Sequence, residues 1–289
     1  MPAVASVDGV ITALADARVP VTDRGLLFGD HAFEIVRGLG PWLVDGEAHL
    51  ARLTASARSL GIVAPELGRL ADWIAAAVAA SGEPDTAIRI VWTRGDGTRL
   101  RPSAGAPPRA IIIVEPSTAA PSGDPSGDPS GPDGLRLVSI AVEHAGRTGA
   151  LVPATAKTGS YLASILALAR AAELGADDAL LVDPDGRALE TATSSLFVVV
   201  AGRAIVATGA ALPGVTAARV AALLGEVVFA AVDAATLAAA DELFVTSSRR
   251  GVTPVVGLDG RVFAVGPTTR RAIDRYQRWL AARIAPPAL

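Results

Sequence analysis

A proline- and glycine-rich repeat constrains the fold of this chain more than any other feature. Residues 121–132 read PSGDPSGDPSGP, a tetrapeptide that recurs with proline and glycine at fixed places. Such a segment cannot bury apolar surface and is typical of a flexible linker or a protruding loop. We therefore expect two domains, with residues 1–118 in the first, 119–134 in the linker and 135–289 in the second.

Both predicted domains interleave helix-like and strand-like stretches. HLARLTASARSLGI and ELGRLADWIAAAVAASG carry apolar residues at three-to-four spacing and end near a glycine, which is typical of amphipathic helices. GVITALADARVPVTDRG predicts a strand hairpin, as does GDHAFEIVRGLGPWLVDG. After the repeat, a helix is expected from Tyr161 to Leu174, followed by further strands and a C-terminal helix. This pattern predicts an α+β fold.

Composition excludes several classes of function. The chain has no cysteine, so it has no disulfides or thiol nucleophiles, and a cytoplasmic location is the default expectation. Its three scattered histidines supply no ligand cluster, and we expect no metal. The formal net charge of −3 at pH 7 gives no basic excess for nucleic acid. The apolar runs are too short to span a membrane and no signal peptide is evident, so no membrane partner is expected.

Lys157 is the only lysine in the chain, although lysine is normally among the commonest residues. Arginine can replace lysine at most solvated positions. It cannot replace a lysine whose deprotonated amine must form a Schiff base, because guanidinium stays protonated. The alternative is a chance survivor on the surface. The small residues of TAKTGSYL leave room for a planar ligand, and the phenol of Tyr161 lies four residues further on.

Six short motifs occur in order along the chain and together resemble a known enzyme family. They are DRGLLFGD (23–30), HLARL (49–53), AKTGSYL (156–162), LETATSSLF (189–197), LPGVT (212–216) and DELFVTSS (241–248). They resemble the class IV, or fold-type IV, pyridoxal-phosphate aminotransferases. That group includes D-amino-acid and branched-chain aminotransferases, (R)-selective amine transaminases and aminodeoxychorismate lyases. The resemblance implies a smaller N-terminal α/β sandwich domain and a larger C-terminal pseudo-barrel domain.

The resemblance also implies pyridoxal 5′-phosphate as the cofactor and assigns residues to it. Lys157 would form the Schiff base and move the proton between substrate carbon and cofactor. Glu190 matches the acid that keeps the ring nitrogen protonated, and a solvated glutamate after the DPDG turn is the alternative. Tyr161 would hydrogen-bond the ring oxygen. The expected phosphate ligands are the N–H groups of Val215 and Thr216, the guanidinium of Arg52 and the hydroxyl of Ser248.

Substrate-binding residues are expected on one strand and one loop. Strand alternation puts four residues on one face, which the resemblance assigns to the substrate pocket: His31, Phe33, Ile35 and Arg37. A core-packing strand with a satisfied histidine is the alternative. In the loop, Arg99 and Arg101 are two residues apart. The resemblance implies that such a pair binds the substrate α-carboxylate and comes from the partner subunit, and solvated loop arginines are the alternative.

Several positions depart from the pattern of D-amino-acid aminotransferases. Phe33 stands where those enzymes typically have tyrosine, and together with Arg37 it is closer to the branched-chain pattern. Ser160 and Ser195 stand where asparagine is frequent, and Ala217 stands where many members have arginine. These changes are expected to relax the surroundings of the cofactor without abolishing its binding.

We expect a homodimeric aminotransferase with its site between the two domains. It would move an amino group from a D-amino acid, or also from an (R)-primary amine, to a 2-oxo acid such as pyruvate or 2-oxoglutarate. SSRRGVTPV resembles the lyase branch, so aminodeoxychorismate lyase is the first alternative, followed by branched-chain L-amino-acid aminotransferase. A non-enzymatic ligand-binding protein of similar fold is a further alternative, but it would not need a lone amine, a partnering acid and a phosphate nest together.

Overall fold

The structure is a computed structural model that describes residues 3–102, 105–117, 134–142 and 152–284. The chain forms two compact units. The first comprises Met1–Thr118 and Gly149–Tyr161, and the second comprises Ala119–Thr148 and Leu162–Leu289. Except for residue 134, the predicted linker lies outside the described residues.

The first unit is built on a six-stranded antiparallel sheet with the strand order β2-β1-β6-β5-β3-β4. Its elements are β1 (Val4–Val7), β2 (Val10–Ala13), α1 (Arg24–Phe28), β3 (His31–Leu39), β4 (Trp42–Leu43), α2 (Gly46–Ser59), α3 (Leu67–Ser81), β5 (Asp85–Thr93) and β6 (Arg109–Pro116). The helices α2 and α3 pack on one face of the sheet, and the core between them contains Val36, Leu53, Ile74 and Ile90. The opposite face is free to carry functional side chains.

The sequence predicted α2, α3 and the β3–β4 hairpin, but the hairpin predicted at residues 9–25 is wrong. Only β2 in that stretch is a strand, and it pairs with the preceding strand β1. Later in the stretch, Asp23 accepts a hydrogen bond from the N–H of Gly25 at 2.8 Å and caps α1. A side-chain cap of this kind satisfies one of the free N–H groups at a helix start, so it favours a helix over a continuing strand.

The lysine segment, residues 152–161, packs with the first unit, whereas the sequence pattern placed it in the second domain. Backbone hydrogen bonds to β3 are the physical reason. The N–H of Phe33 donates to the carbonyl of Lys157 at 3.1 Å, and the N–H of Gly159 donates to the carbonyl of His31 at 3.0 Å. The segment thus runs beside β3 and holds the Lys157 backbone against it.

Among the described residues, the second unit contains a nine-stranded sheet. In this sheet β9 pairs with both β8 and β10. Its elements are β7 (Leu135–Ala141), α4 (Leu162–Glu173), β8 (Asp178–Val182), β9 (Ala188–Thr191), β10 (Ser195–Val200), β11 (Arg203–Ala207), α5 (Val215–Leu224), β12 (Val227–Ala230), α6 (Ala234–Ala238), β13 (Glu242–Ser247), β14 (Gly251–Leu258), β15 (Arg261–Val262) and α7 (Pro267–Ile284). The double pairing of β9 closes six strands, in the order β10-β13-β14-β7-β8-β9, around a core that includes Leu135, Leu180, Leu196 and Leu243. This closed arrangement corresponds to the predicted pseudo-barrel, and the α+β prediction is confirmed.

In the part of the chain that the structure describes, no helix combines the length and the apolar composition of a membrane-spanning segment. For example, the apolar helix α3 has 15 residues, whereas a span needs about 20. Within the same ranges, no group of three or more histidine, aspartate or glutamate side chains is arranged to hold a metal ion.

Candidate active site

The amine of Lys157 lies beside two aromatic rings in the first unit. Its Nζ is 4.5 Å from the ring centroid of Phe33 and donates a hydrogen bond to the hydroxyl oxygen of Tyr161 at 3.3 Å. The two rings meet edge to face with their centroids 5.1 Å apart. On the backbone, the N–H of Lys157 donates to Oγ of Ser56 in α2 at 3.0 Å. Both the backbone and the side chain of the lysine are therefore held in place.

The surroundings of Lys157 favour the neutral amine. Burial lowers the pKa of Lys157 from its ordinary 10.5, because the ammonium form loses hydration. The positive charge of Arg52 lowers this pKa further, while the hydrogen bond to Tyr161 and the charge of Glu34 raise it. Since only the neutral amine attacks a carbonyl carbon, the shift prepares Lys157 for Schiff-base chemistry.

A buried ion pair fixes Arg52 against the strand that carries Phe33. Glu34 accepts hydrogen bonds from Nε and Nη2 of Arg52 at 2.7 and 2.8 Å, and its Oε2 lies 2.8 Å from Nδ1 of His49. Burial raises the pKa of Glu34, but the hydrogen bonds from Arg52 and His49 outweigh burial and lower the pKa to about 2. Arg52 and His49 both lie on α2, so this carboxylate joins α2 to β3.

Glu34 and His49 were missed by the sequence reasoning, although both lie inside motifs that it quoted. The available signal was a charged residue at a position of β3 that faces the helices, two residues after the core residue Ala32 and two residues before Val36. A buried charge needs a partner, and the basic residues of HLARL supply it.

The structure brings two of the four predicted substrate residues of β3 near the lysine. The rings of His31 and Phe33 are 6.3 Å apart, and the His31 ring packs so closely on Gly159 that a Cβ there would lie 2.1 Å from it. Burial lowers the pKa of His31, and its Nδ1 has no hydrogen-bond partner among the described residues. A neutral imidazole is therefore expected between Gly159 and the ring of Phe33.

The other two residues of that face lie further along β3. Ile35 is half-buried. Arg37 donates from Nε and Nη2 to Asp85 at 2.9 and 2.5 Å. Arg37 lies four residue steps along the strand from Phe33, a distance of about 13 Å. The structure does not bring Arg37 to the lysine, and its substrate role stays a prediction.

Arg89 was missed by the sequence reasoning. It lies on β5 directly opposite Ile35, and its guanidinium carbon is 5.6 Å from the ring centroid of Phe33. The side chain is exposed, and no acidic side chain of the described residues pairs with it. A basic residue at the centre of the apolar strand AIRIVWT was the available signal, but its position beside Phe33 depends on the register of β3 and β5. Arg89 can therefore receive an anion on the face that carries Phe33.

The loop that carries Arg99 and Arg101 is anchored by a buried arginine. Arg24 donates from Nη1 to the carbonyl of Arg99 and from Nη2 to the carbonyl of Leu100, the latter at 2.9 Å. Nε of Arg24 donates to Asp30 at 2.8 Å. Both loop arginines are exposed and pair with no acid of the described residues. The backbone of the loop is thus fixed while its two guanidinium groups face solvent.

In the second unit, Glu190 lies directly opposite Ser195 on the neighbouring strands β9 and β10. Each of these residues is only 8% exposed. Glu190 is therefore not the solvated glutamate that the alternative interpretation requires. A buried carboxylate of this kind can hold a proton on a nitrogen base.

The N terminus of α5 has no side-chain cap, and Gly214 precedes it. A Cβ at Gly214 would lie 2.3 Å from Oγ of Ser195 and 3.1 Å from Cβ of Ala217, so a larger residue there would displace its neighbours. The first two residues of this helix are Val215 and Thr216, whose N–H groups lie at its positive end. The turn after β13 contains Ser248. Val215, Thr216 and Ser248 belong to the second unit, whereas Arg52, the remaining predicted phosphate ligand, belongs to the first.

The chain is similar to aminotransferases over most of its length. A family model described as "Amino-transferase class IV" matches residues 31–258. A putative branched-chain-amino-acid aminotransferase from Methanocaldococcus jannaschii is 31% identical over 273 residues, which cover 91% of each chain. A bifunctional aminodeoxychorismate lyase / D-amino acid transaminase from Mycobacterium tuberculosis is 30% identical over 207 residues, which cover 69% of this chain and 67% of that protein.

The fold is also similar to that of a solved transaminase over most of the chain. A fold IV-transaminase from Curtobacterium pusillum superposes with a TM-score of 0.82 at 24% identity, covering 97% of this chain and 99% of that one. The predicted fold-type IV architecture is confirmed by this likeness. The family match extends over more than half of the chain. The chain therefore belongs to the class IV aminotransferases, which use pyridoxal phosphate as their cofactor.

Proposed function

We propose that this aminotransferase takes an amino group from a D-amino acid, or from an (R)-primary amine, and passes it to a 2-oxo acid such as pyruvate or 2-oxoglutarate. The group of side chains around Lys157 carries the proposal. A half-buried amine with a lowered pKa lies against Phe33, and the guanidinium of Arg89 lies beside the same ring. Such a group can hold an amine-reactive planar cofactor and a carboxylate side by side.

The residues present fit pyridoxal phosphate on two observations. The uncapped N terminus of α5 begins after Gly214, where a Cβ would lie 2.3 Å from Oγ of Ser195, so backbone N–H groups can approach an anion closely. The amine of Lys157, with its lowered pKa, suits a carbonyl carbon. An anion cradle and a reactive amine are the two fixed requirements of this cofactor.

Each cofactor contact has a candidate in the chain. When bound, pyridoxal phosphate supplies a carbonyl that condenses with an amine and a ring that withdraws electrons from the substrate carbon. Glu190 would keep a proton on the ring nitrogen, and Tyr161 would hydrogen-bond the ring oxygen. The proposed phosphate ligands are the N–H groups of Val215 and Thr216, the hydroxyl of Ser248 and the guanidinium of Arg52.

We assign the proton transfer to Lys157. Nζ would be the base that takes the proton from the substrate carbon and moves it between that carbon and the cofactor. Tyr161, whose hydroxyl oxygen accepts from Nζ at 3.3 Å, keeps the amine from turning away. The lowered pKa keeps Lys157 in its base form at a lower pH than an exposed lysine.

The substrate carboxylate has three candidate partners. Arg89 lies beside Phe33 and needs no movement of the backbone to present its guanidinium on that face. Arg99 and Arg101 extend from an anchored loop. In the proposed dimer the partner subunit supplies them, as the resemblance implies. Two-point recognition of a carboxylate by guanidinium groups fixes the orientation of the substrate carbon and hence its stereochemistry.

A branched-chain L-amino acid is the second candidate substrate. The relative from Methanocaldococcus jannaschii, which is named for branched-chain amino acids, covers 91% of this chain. Ile35 and Val91, which lies opposite Phe33, are both half-buried and offer apolar surface that suits an aliphatic side chain. The lyase remains a third candidate, because the relative from Mycobacterium tuberculosis is named for both lyase and D-amino acid transaminase activity.

Absorbance spectra of the cofactor-loaded protein distinguish these substrates. The protein is mixed separately with D-alanine, L-leucine and (R)-1-phenylethylamine, and loss of the yellow band is followed. We expect D-alanine to bleach the band and pyruvate to restore it. If only L-leucine bleaches the band, the proposed D-amino acid substrate is wrong and a branched-chain L-amino acid takes its place. If none of the three bleaches the band, release of pyruvate from aminodeoxychorismate without an acceptor would identify the lyase.

A further inference from the structure

Glu190 is presented by a tight turn between two strands. β9 ends at Thr191 and β10 begins at Ser195, so residues 192–194 form the turn. The N–H of Thr191 donates to the carbonyl of Ser194 at 2.8 Å, and the N–H of Ser194 donates to Oγ1 of Thr191 at 3.0 Å. Both the backbone and the side chain of Thr191 therefore define this turn.

The buried carboxylate of Asp178 holds the turn from one side. Its Oδ2 accepts hydrogen bonds from Oγ1 of Thr191 at 2.9 Å and from Oγ1 of Thr193 at 3.2 Å. Burial raises the pKa of Asp178, and the charge of Arg250 together with these hydrogen bonds opposes that rise. A buried carboxylate that loses its partners is strongly destabilising, so Thr191 is fixed on the side of Asp178.

Fixing Thr191 also orients Glu190. β9 is irregular at this point: Thr191 pairs with Leu180 and Ala188 with Val182, so three residue steps of β9 lie opposite two of β8. The hydrogen bonds that fix Thr191 therefore also fix this irregularity and, with it, the direction of Glu190. Ser195, which lies directly opposite Glu190, shares its face. A slip of one residue in β9 would exchange the two faces. The contacts of Asp178 thus determine on which face the carboxylate of Glu190 stands.

Arg250 connects this turn to a second one. Its Nη2 donates to Oγ1 of Thr193 at 3.0 Å and to Oγ of Ser194 at 2.8 Å, and it lies 3.6 Å from Oδ2 of Asp178. Arg250 itself belongs to the turn after β13, which also contains Ser248. One guanidinium group therefore ties the turn of the β9–β10 hairpin to the turn that carries a proposed phosphate ligand.

We propose that Asp178 and Arg250 are positioning residues for the cofactor. They orient Glu190 toward the ring nitrogen and hold Ser248 toward the phosphate without touching either group. This inference rests on the proposed function, because it takes Glu190 and Ser248 as cofactor ligands. In this inference, one buried network aligns two ligands of the cofactor in the second unit: Glu190 for the ring nitrogen and Ser248 for the phosphate.

The substitution Arg250→Met tests the inference, because it removes the guanidinium and keeps an unbranched side chain. We expect the dissociation constant of pyridoxal phosphate, measured by fluorescence titration of the apoprotein, to rise about tenfold, as for the loss of one hydrogen bond to a charged group. The pH dependence of the yellow band should shift in the same direction as in Glu190→Gln. Arg250→Lys, which keeps a positive charge near Asp178, should recover part of the affinity.

Arg261→Met is the matched control, since Arg261 also anchors part of the second unit by donating to the carbonyls of Ala238 and Ala240. We expect it to lower the Tm of the apoprotein while cofactor affinity and absorbance stay at wild-type values. If Arg250→Met gives that same result, its role is only structural and the positioning inference is wrong, while the proposed function stands.

Two further outcomes separate the inference from the proposed function. If the wild-type protein develops no yellow band with pyridoxal phosphate, the proposed function fails and the inference fails with it. If Arg250→Met does not fold, Thr193→Val removes only the hydroxyl that joins Asp178 to Arg250. Unchanged cofactor affinity and absorbance in Thr193→Val would then overturn the inference, and weaker affinity would support it.

Discussion

Lys157 combines three properties that a surface lysine lacks. Its amine is partly buried, it lies against the ring of Phe33, and it donates to the hydroxyl oxygen of Tyr161. Contact with an aromatic face alone would stabilise the ammonium form. The lowered pKa means that loss of hydration outweighs this contact and the hydrogen bond to Tyr161. The pKa of Lys157 is therefore the net result of neighbours that act in opposite directions, with loss of hydration the largest of them.

The substitution Tyr161→Phe should lower the pKa of Lys157 further, because the hydrogen bond that stabilises the ammonium form is lost. The pKa can be measured by NMR titration of the apoprotein after reductive ¹³C-methylation. Since Lys157 is the only lysine, the spectrum contains one side-chain signal of this type. Lys157→Arg, which lacks that signal, identifies it.

The same shift predicts how stability depends on pH. The unfolded chain binds the lysine proton more tightly than the folded chain, because the folded pKa is lower. Lys157 therefore makes the free energy of unfolding increase as pH rises from the folded pKa to the ordinary 10.5. A pKa near 10.5 in the folded protein, or a pKa that rises in Tyr161→Phe, would contradict the proposed environment of the amine.

At the scale of elements, the sequence predicted the type of most helices and strands but not how neighbouring strands align. Alternation along β3 predicted one face with Phe33 and Ile35, because that pattern depends only on the geometry of a single strand. The position of Arg89 beside Phe33 depends on the register of β5 against β3, which local periodicity does not contain. Glu34 was missed for a similar reason, since its partners Arg52 and His49 come from α2.

The start of α5 gives a prediction at this scale. Gly214→Ala should displace the helix N terminus, because the new Cβ would lie 2.3 Å from Oγ of Ser195. We expect weaker binding of pyridoxal phosphate by about tenfold, since the N–H groups of the first turn retreat from the phosphate. Fluorescence titration of the apoprotein measures the dissociation constant.

Two variants control for general effects of the added methyl group. At Gly257 in β14 a Cβ would meet its nearest neighbour at 3.4 Å, an ordinary contact, so Gly257→Ala should bind the cofactor as wild type does. Adding Ser195→Ala to Gly214→Ala removes the closest obstacle and should restore part of the affinity. Wild-type affinity in Gly214→Ala alone would show that this helix start does not hold the phosphate.

At the scale of the whole molecule, the arginine loop and α1 favour a subunit interface. Arg24 in α1 anchors the loop, and α1 and the loop together expose four large apolar side chains, Leu26, Leu27, Phe28 and Leu100. Exposed apolar residues grouped in this way are typical of surfaces that meet another protein. A second copy of the chain seated there would bring Arg99 and Arg101 toward the site of its neighbour, as the resemblance implies.

Hybrid dimers test this exchange of residues. One subunit carries Lys157→Ala and keeps the loop, and the other carries Arg99→Ala with Arg101→Ala and keeps the lysine. If the loop serves the neighbouring subunit, each hybrid contains one complete site, because the lysine of one subunit meets the loop of the other. Random mixing makes half of the dimers hybrids, so we expect about a quarter of wild-type activity on D-alanine.

The parent variants, each assayed alone, are the controls, since neither homodimer contains a complete site. If the loop instead serves its own subunit, every hybrid site lacks either Lys157 or the loop arginines, and mixing restores nothing. Equal mixtures that remain as inactive as the parents, although hybrid dimers are detected by native mass spectrometry, would therefore contradict donation across the interface. Activity on (R)-1-phenylethylamine provides an internal check, because this amine has no carboxylate and should depend on Lys157 but much less on Arg99 and Arg101.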